Sequence, residues 1–198
     1  MIAGSLGGRR LKAVPGTVAR PTSDRVRESL FAILGRDGVQ SRRVLDLFAG
    51  SGALAIEALS RGAASAVLVE PAPAAVKAIR ANLADLDLER VATVRRTRAE
   101  TWLRSQRDGP FDLVLLDPPY DIPVGLLAGV LGRLARTALA PGALVTLEAA
   151  STSEPPPWPP GLEPAAPRRY GGTTLHLASY GGRVQSPGPA ARRNEEGA

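Results

Sequence analysis

Asp117-Pro118-Pro119-Tyr120 closes the apolar run Leu113 to Leu116, and these residue types in this order suit one kind of chemistry. The lone pair of an exocyclic amine on a base is delocalised into the ring, so it must be turned outward before it can attack an electrophile. The Asp117 carboxylate and the Pro118 carbonyl can each accept one N–H, which favours a pyramidal nitrogen with its lone pair aimed at a methyl donor. Pro118 and Pro119 stiffen the loop, so these acceptors need no ordering at each turnover. Tyr120 offers a face for stacking, worth about 1 to 3 kcal/mol against a few kcal/mol to extrude a paired base. By itself the motif specifies only a planar amine. Its blander counterpart is a proline-rich turn with a tyrosine packed on it.

Two further segments add to this. In DLFAGSGALAIEAL a strand runs into a turn in which Gly50 and Gly52 let the backbone pass close to a ligand, and the helix that follows presents unpaired N–H groups. Glu70, 20 residues after Gly50, ends the next strand, where an acid can accept hydrogen bonds from two ribose hydroxyls. A G-x-G followed by an acid also describes NAD enzymes, and Ala55 stands where the third glycine of that fingerprint is also found as alanine. Asp46 discriminates better: an acid inside the turn repels a pyrophosphate but suits a cation such as the ammonium of a methionine moiety. The turn therefore leans toward S-adenosylmethionine.

These residues need a scaffold that brings strand ends together. Apolar strands at 44–48, 66–70, 91–94, 112–117 and 143–148 alternate with helical segments at about 53–61, 73–84, 99–106 and 124–138. Such alternation predicts right-handed βαβ units on a parallel sheet covered on both faces, an α/β fold whose ligands bind beyond the carboxyl ends of the strands. Ahead of them, Thr22 or Ser23 is the expected N-cap of an amphipathic helix that reaches Gly35, with Val26, Leu30, Ile33 and Leu34 on its apolar stripe and Arg25 and Arg27 off it. Residues 1–21 read as a basic arm or hairpin and 22–182 as the domain. Residues 151–167 are too proline-rich for a helix or a central strand and read as a loop, 168–180 read as a final edge strand, and 183–198 as a disordered tail. His176, the sole histidine, falls in that strand and reads as packed rather than catalytic.

The chain has 198 residues, 44% of them apolar, enough for one domain that buries roughly 70% of its unfolded surface. No cysteine is present, which excludes a thiolate nucleophile, and with one histidine no metal site is expected. No apolar run approaches the ~18 residues needed to cross a bilayer, and the first residues lack a signal peptide's apolar core, so a cytoplasmic protein is the expectation. The formal charge of +6 is unevenly placed: residues 1–43 hold nine basic and three acidic residues, and the remainder balances at 16 of each. An Ala-, Gly-, Pro- and Arg-rich composition is what a GC-rich genome produces unselected, but that concentration points to an acidic partner such as nucleic acid.

The stretches AGSLGGRRL, RPTSDRVRESLFAIL, LDLFAGSGALAIEALSRGA, LVEPAPAAVKAIRANL, LVLLDPPYD and RRYGGTTL are together similar to class I S-adenosylmethionine-dependent amino-methyltransferases, and more closely to the bacterial small-subunit (16S) ribosomal RNA guanine-N2 methyltransferases. The resemblance implies a doubly wound, mostly parallel seven-stranded sheet with an antiparallel last strand. It implies cofactor contacts at Asp46, Phe48, Gly50, Ser51, Gly52, Ala53, Glu70, Pro71, Arg98 and Ala99, and amine contacts from Asp117 to Tyr120. It places Arg9, Arg10, Arg20, Thr22, Arg25 and Arg27 on the RNA side, with 16S ribosomal RNA or an assembling small subunit as partner and a monomer as the expected state. Arg98-Ala99 depart from the family's Asp or Asn, which leaves the Ala99 N–H to serve the adenine, and Ala32 replaces a common asparagine. Methylation of adenine N6, cytosine N4 or a protein amide, an NAD-dependent oxidoreductase and a noncatalytic RNA-binding module remain the alternatives.

Overall fold

A computed structural model describes residues 4–15, 21–106 and 108–181. Arg20 and the tail from 182 lie outside the described residues, and for Thr22 only helical backbone is described.

Five strands, β1 (Arg43–Leu47), β2 (Ser65–Val69), β3 (Ala92–Arg95), β4 (Phe111–Leu116) and β5 (Leu139–Ala150), pair in parallel in the order β3-β2-β1-β4-β5. The order reverses between β1 and β4, the switch point where open α/β sheets hold ligands. Helices α1 (Pro21–Leu34), α2 (Ala53–Ser60) and α3 (Pro73–Asp85) cover one face, and α4 (Ala99–Ser105) and α5 (Val124–Thr137) the other. Each central strand supplies both cores by its pleat. Val44, Leu113 and Leu115 enter the core under α1 to α3, whereas Leu45, Leu47, Val114 and Leu116 enter the core under α4 and α5. Each such fully buried aliphatic side chain contributes about 1.5 to 3 kcal/mol of transfer free energy.

The structure corrects four sequence-based expectations. α1 begins at Pro21, so Thr22 and Ser23 lie inside its first turn rather than capping it; a proline's fixed φ suits the first helical position. The segment after β5 is not wholly loop, because Leu162–Pro164 forms β6, a short edge strand where Pro164 costs little. Residues 168–180 are two strands, β7 (Arg168–Tyr170) and β8 (Thr173–Tyr180), joined through Gly171-Gly172 as a hairpin. Accordingly β8 is not an edge. It runs antiparallel to β5 on one side and pairs with β6 and β7 on the other, and the sheet has eight strands, seven on one path with β7 beside it. His176 sits half-buried in β8 opposite Leu147, where burial holds its imidazole below the ordinary value.

The described part of the arm is a strap rather than a hairpin. A 3-10 turn at Gly4–Leu6 sits on the end of α2, where the Ser5 hydroxyl donates to the Ser60 carbonyl and the Leu6 N–H donates to Ser60 Oγ at 2.9 Å. Further along, the Lys12 N–H donates to Asn82 Oδ1 at 2.7 Å, and Asn82 Nδ2 returns a bond to the Lys12 carbonyl. Gly4 is required here, since its φ is +77° and an added Cβ would stand 2.2 Å from the Ser60 carbonyl oxygen. Gly4→Ala is therefore expected to lift the strap, with faster amide hydrogen exchange at Leu6 and unchanged exchange in β1 and β4. Undiminished protection of Leu6 would show that the strap is held elsewhere.

Candidate active site

The strand ends of the sheet are level. Leu47 pairs with Val69 on one side and Leu116 on the other, and Leu116 pairs with Leu147. The chain therefore leaves β1, β2 and β4 side by side at Phe48, Glu70 and Asp117, with Glu148 beside them in β5. Asp46, Glu70, Asp117 and Glu148 also keep the pleat phase of Val44, Leu68, Leu115 and Thr146, so four acids gather toward the face that α1 to α3 cover.

Asp46 is 1% exposed. Its Oδ2 accepts the Ala55 N–H at 3.0 Å, one of the first-turn donors of α2 that Gly52 offers no side chain to cap. Its Oδ1 is buried and finds no hydrogen-bond partner among the described residues. Burial, followed by the Asp117 and Glu70 charges, pushes Asp46 up to about 8 against the pull of the Ala55 hydrogen bond. A cationic ligand beside Oδ1 would relieve both the orphaned oxygen and the repulsion among the acids.

The turn around Asp46 is held by its neighbours. Phe48 lies in the left-handed region at φ 66°, a placement costing on the order of 1 to 3 kcal/mol for a bulky residue, and its ring packs on the core under α4 and α5. Gly52 at φ 82° opens α2, and a Cβ there would press Leu68 at 3.0 Å. The Gly50 and Ala72 N–H groups donate to Glu70 Oε2 and Oε1 at 2.9 and 2.8 Å, so Glu70 ties the turn to the start of α3 while keeping lone pairs for further donors. Asn82, which sequence reasoning missed, donates to the Ser51 carbonyl at 3.0 Å as well as to the strap. Its signal was an amide inside the apolar stripe of α3. Ala53 opens α2, Pro71 is exposed beside Glu70, Arg98 is the exposed N-cap of α4 and lies 4.0 Å from Glu100, and Ala99 is buried in the first turn of α4.

On the β4 side Pro118 is buried, Asp117 and Pro119 are exposed, and Tyr120 is 42% exposed. The Tyr120 hydroxyl shares a 2.9 Å hydrogen bond with Thr173 Oγ1 at the start of β8, which fixes the ring. Thr173 gave no sequence signal, because its partner is 53 residues away. A cavity of about 240 Å³ opens here, lined by Pro118, Tyr120, Leu127, Leu147, Glu148 and Pro156 among others. Glu148, a third residue the sequence reading passed over, is buried, and burial, then the Asp117 charge, push it up to about 8 against the pull of Arg27.

The basic residues do not stay together. Arg9, Arg10 and Arg25 are exposed. Arg27 corrects the expectation of a side chain off the apolar stripe: at 9% exposed it turns inward, with Nη2 2.6 Å from Asp24 and Nε 3.8 Å from buried Glu57. Among the described residues no cluster of acids and histidine could hold a metal, and no helix is long and apolar enough to cross a membrane.

The family model described as conserved hypothetical protein 95 matches residues 1–179. YlbH of Bacillus subtilis (strain 168) is 47% identical over 124 residues, covering 61% of this chain and 66% of that protein. Ribosomal RNA small subunit methyltransferase D of Escherichia coli (strain K12) is 42% identical over 120 residues, covering 61% of this chain and 59% of its own. The chain thus spans less than two thirds of the length of these curated relatives. The solved structure of Escherichia coli yhhF superposes with a TM-score of 0.80 at 36% identity, over 91% of this chain and 96% of that one. TrmN from Thermus thermophilus, with a TM-score of 0.64 at 23% identity over 78% of this chain and 48% of that one, shares the fold.

Asp46 and Glu148 hold their protons to about pH 8 in the folded chain and release them in the ordinary carboxylate range when unfolded. The stability this gives is fully present below the unfolded range and is lost as pH rises through the folded values. The Tm of the ligand-free protein should therefore fall from about pH 5 to about pH 8, and Asp46→Asn with Glu148→Gln should remove most of that decline. Calorimetry across this range checks it, and a wild-type Tm that is level or rising counts against the described burial.

Proposed function

The chain belongs to the family described as conserved hypothetical protein 95, and from that membership and the geometry above we propose that it transfers a methyl group from S-adenosylmethionine to the N2 amine of a guanine in small-subunit (16S) ribosomal RNA. The observation that carries the proposal is the meeting, at one switch point, of a buried carboxylate with an orphaned oxygen and a Tyr120 ring fixed beside two amine acceptors. Relatives named for small-subunit ribosomal RNA methylation support the choice of substrate.

The residues present suit the cofactor. Asp46 Oδ1 would take a cationic portion, Glu70 a ribose, and the Gly50-Ser51-Gly52 turn with Phe48, Ala53 and Pro71 would border the remainder. The Ala99 N–H, with Arg98 beside it, would meet the adenine. When bound, S-adenosylmethionine would supply a sulfonium methyl whose carbon a nitrogen lone pair can attack, the sulfur leaving with the bonding pair as S-adenosylhomocysteine.

What the chain itself does is orient the amine. Asp117 and the Pro118 carbonyl accept its two N–H groups, Pro118 and Pro119 keep these acceptors in place, and Tyr120 stacks on the ring. The proton released by the amine passes to Asp117, which is open to solvent, so no strong base is required. Residues 1–21 act as the RNA-facing arm and 22–182 as the catalytic unit, with the tail from 183 outside both. The protein works as a cytoplasmic monomer on 16S RNA or the assembling subunit. Arg9, Arg10 and Arg25 hold phosphates, and Arg20 and Thr22 contribute to the same RNA contact.

Labelled methyl donor incubated with undermodified small subunits should place label on a guanine N2, mapped by nuclease digestion and mass spectrometry. Asp117→Ala should lower transfer about 100- to 1000-fold. Tyr120→Ala should cost about 5- to 150-fold through lost stacking, and Tyr120→Phe, which loses only the Thr173 bond, considerably less. Label in DNA or protein, or full activity of Asp117→Ala, would overturn the assignment. Neutralising Arg9 and Arg10 should weaken RNA binding with little sequence preference and flatten its salt dependence by about two phosphate contacts, measured by binding titrations at several salt concentrations.

A further inference from the structure

Glu148 has no part in the reaction as described, although its surroundings give it one. It follows Leu147, whose partner in β4 is Leu116, so it stands beside Asp117 on the neighbouring strand. It is 9% exposed and lines the cavity with Pro118, Tyr120 and Leu147. The charges of Asp117, Arg27 and Asp46 act on its carboxylate, and a mostly buried carboxylate on a residue that lines the cavity can take a donor from a ligand. The apolar surfaces that Pro118 and Tyr120 bring to the cavity suit the flat rings of a single base.

We infer that Glu148 selects guanine, accepting the N1–H of the base whose N2 amine lies at Asp117 and the Pro118 carbonyl. This rests on the proposed reaction and adds a specificity-determining residue to it. Guanine presents two adjacent donors on its pairing edge, N1–H and the N2 amine. Adenine and cytosine present a ring nitrogen acceptor beside theirs. An ionised carboxylate is an acceptor only, so it matches the first arrangement and repels the ring nitrogen of the second. Donors from guanine and a cation at Asp46 both favour the ionised form. Arg27, whose charge acts on Glu148 from the α1 side, favours it as well.

The test uses small-subunit RNA in which the guanine modified by the wild-type protein, mapped first, is replaced by 2-aminopurine. That base keeps the N2 amine but turns N1 from a donor into an acceptor. The wild-type protein should prefer guanine in kcat/KM by about 10- to 100-fold. Glu148→Gln, whose amide can donate to N1, should lose activity on guanine and gain on 2-aminopurine, levelling or inverting the preference. A wild-type protein with no preference, which is read without any variant, overturns the role of Glu148 and leaves the reaction standing. So does a Glu148→Gln variant that binds S-adenosylmethionine normally in calorimetry and loses activity on both bases in equal proportion. Failure of the wild-type protein to methylate any guanine overturns the reaction and the role of Glu148 together.

Discussion

A carboxylate buried with one oxygen bonded and the other bare is the constraint around which this end of the molecule is arranged. Asp46 could be left ionised only at a large desolvation cost, and it could be removed only by leaving the first turn of α2 without its cap. Its position inside β1 serves both needs. The strand delivers Oδ2 to the Ala55 N–H and leaves Oδ1 at the switch point, where a ligand can complete it. Phe48 must then take a left-handed backbone immediately afterwards, because the chain has to reverse within a few residues to enter α2 from Gly52.

That turn is held from three directions. Glu70 fastens it to α3 through Gly50 and Ala72, and the Ala49 N–H donates to the Val69 carbonyl. Asn82 fastens Ser51 to the strap through the same amide that bonds Lys12. The strap and the turn therefore share one side chain, and the arm on which Arg9 and Arg10 lie is anchored to the residues that would hold the cofactor. A displacement of the strap would strain the Asn82 amide and, through it, the Ser51 carbonyl.

The central order of the fold and the positions of Asp46, Gly50, Gly52, Glu70 and Asp117 were legible in the sequence because each depends on local pattern: apolar strands, glycine turns, and acids at strand ends. What was not legible depends on pairing over distance. β8 read as an edge because nothing in RRYGGTTLHLASY reveals that its other side would take β6 and β7. Thr173 could not be assigned to Tyr120 from spacing. Glu148 was passed over because it reads as the last polar residue of a strand, and only its register beside Asp117 places it at the cavity. Arg27 was misplaced for a related reason: a helical wheel shows that it lies off the apolar stripe, but not that buried Glu57 waits on α2.

Arg27 also changes how the basic excess is read. Burying a guanidinium is tolerable only with partners, and Asp24 and Glu57 provide them, so this charge is spent on fixing α1 against α2. Other charges of the basic segment are likewise engaged. Lys12 pairs with Asp85 at 2.6 Å, Arg36 with Gln40, Arg42 with the Asp37 carbonyl, and Arg43 with the Asp108 carbonyl. Among the described residues, Arg9, Arg10 and Arg25 alone in this segment are exposed without such a partner. The charge available to phosphates is thus narrower than the net charge suggests, and it lies on the strap and the first turns of α1.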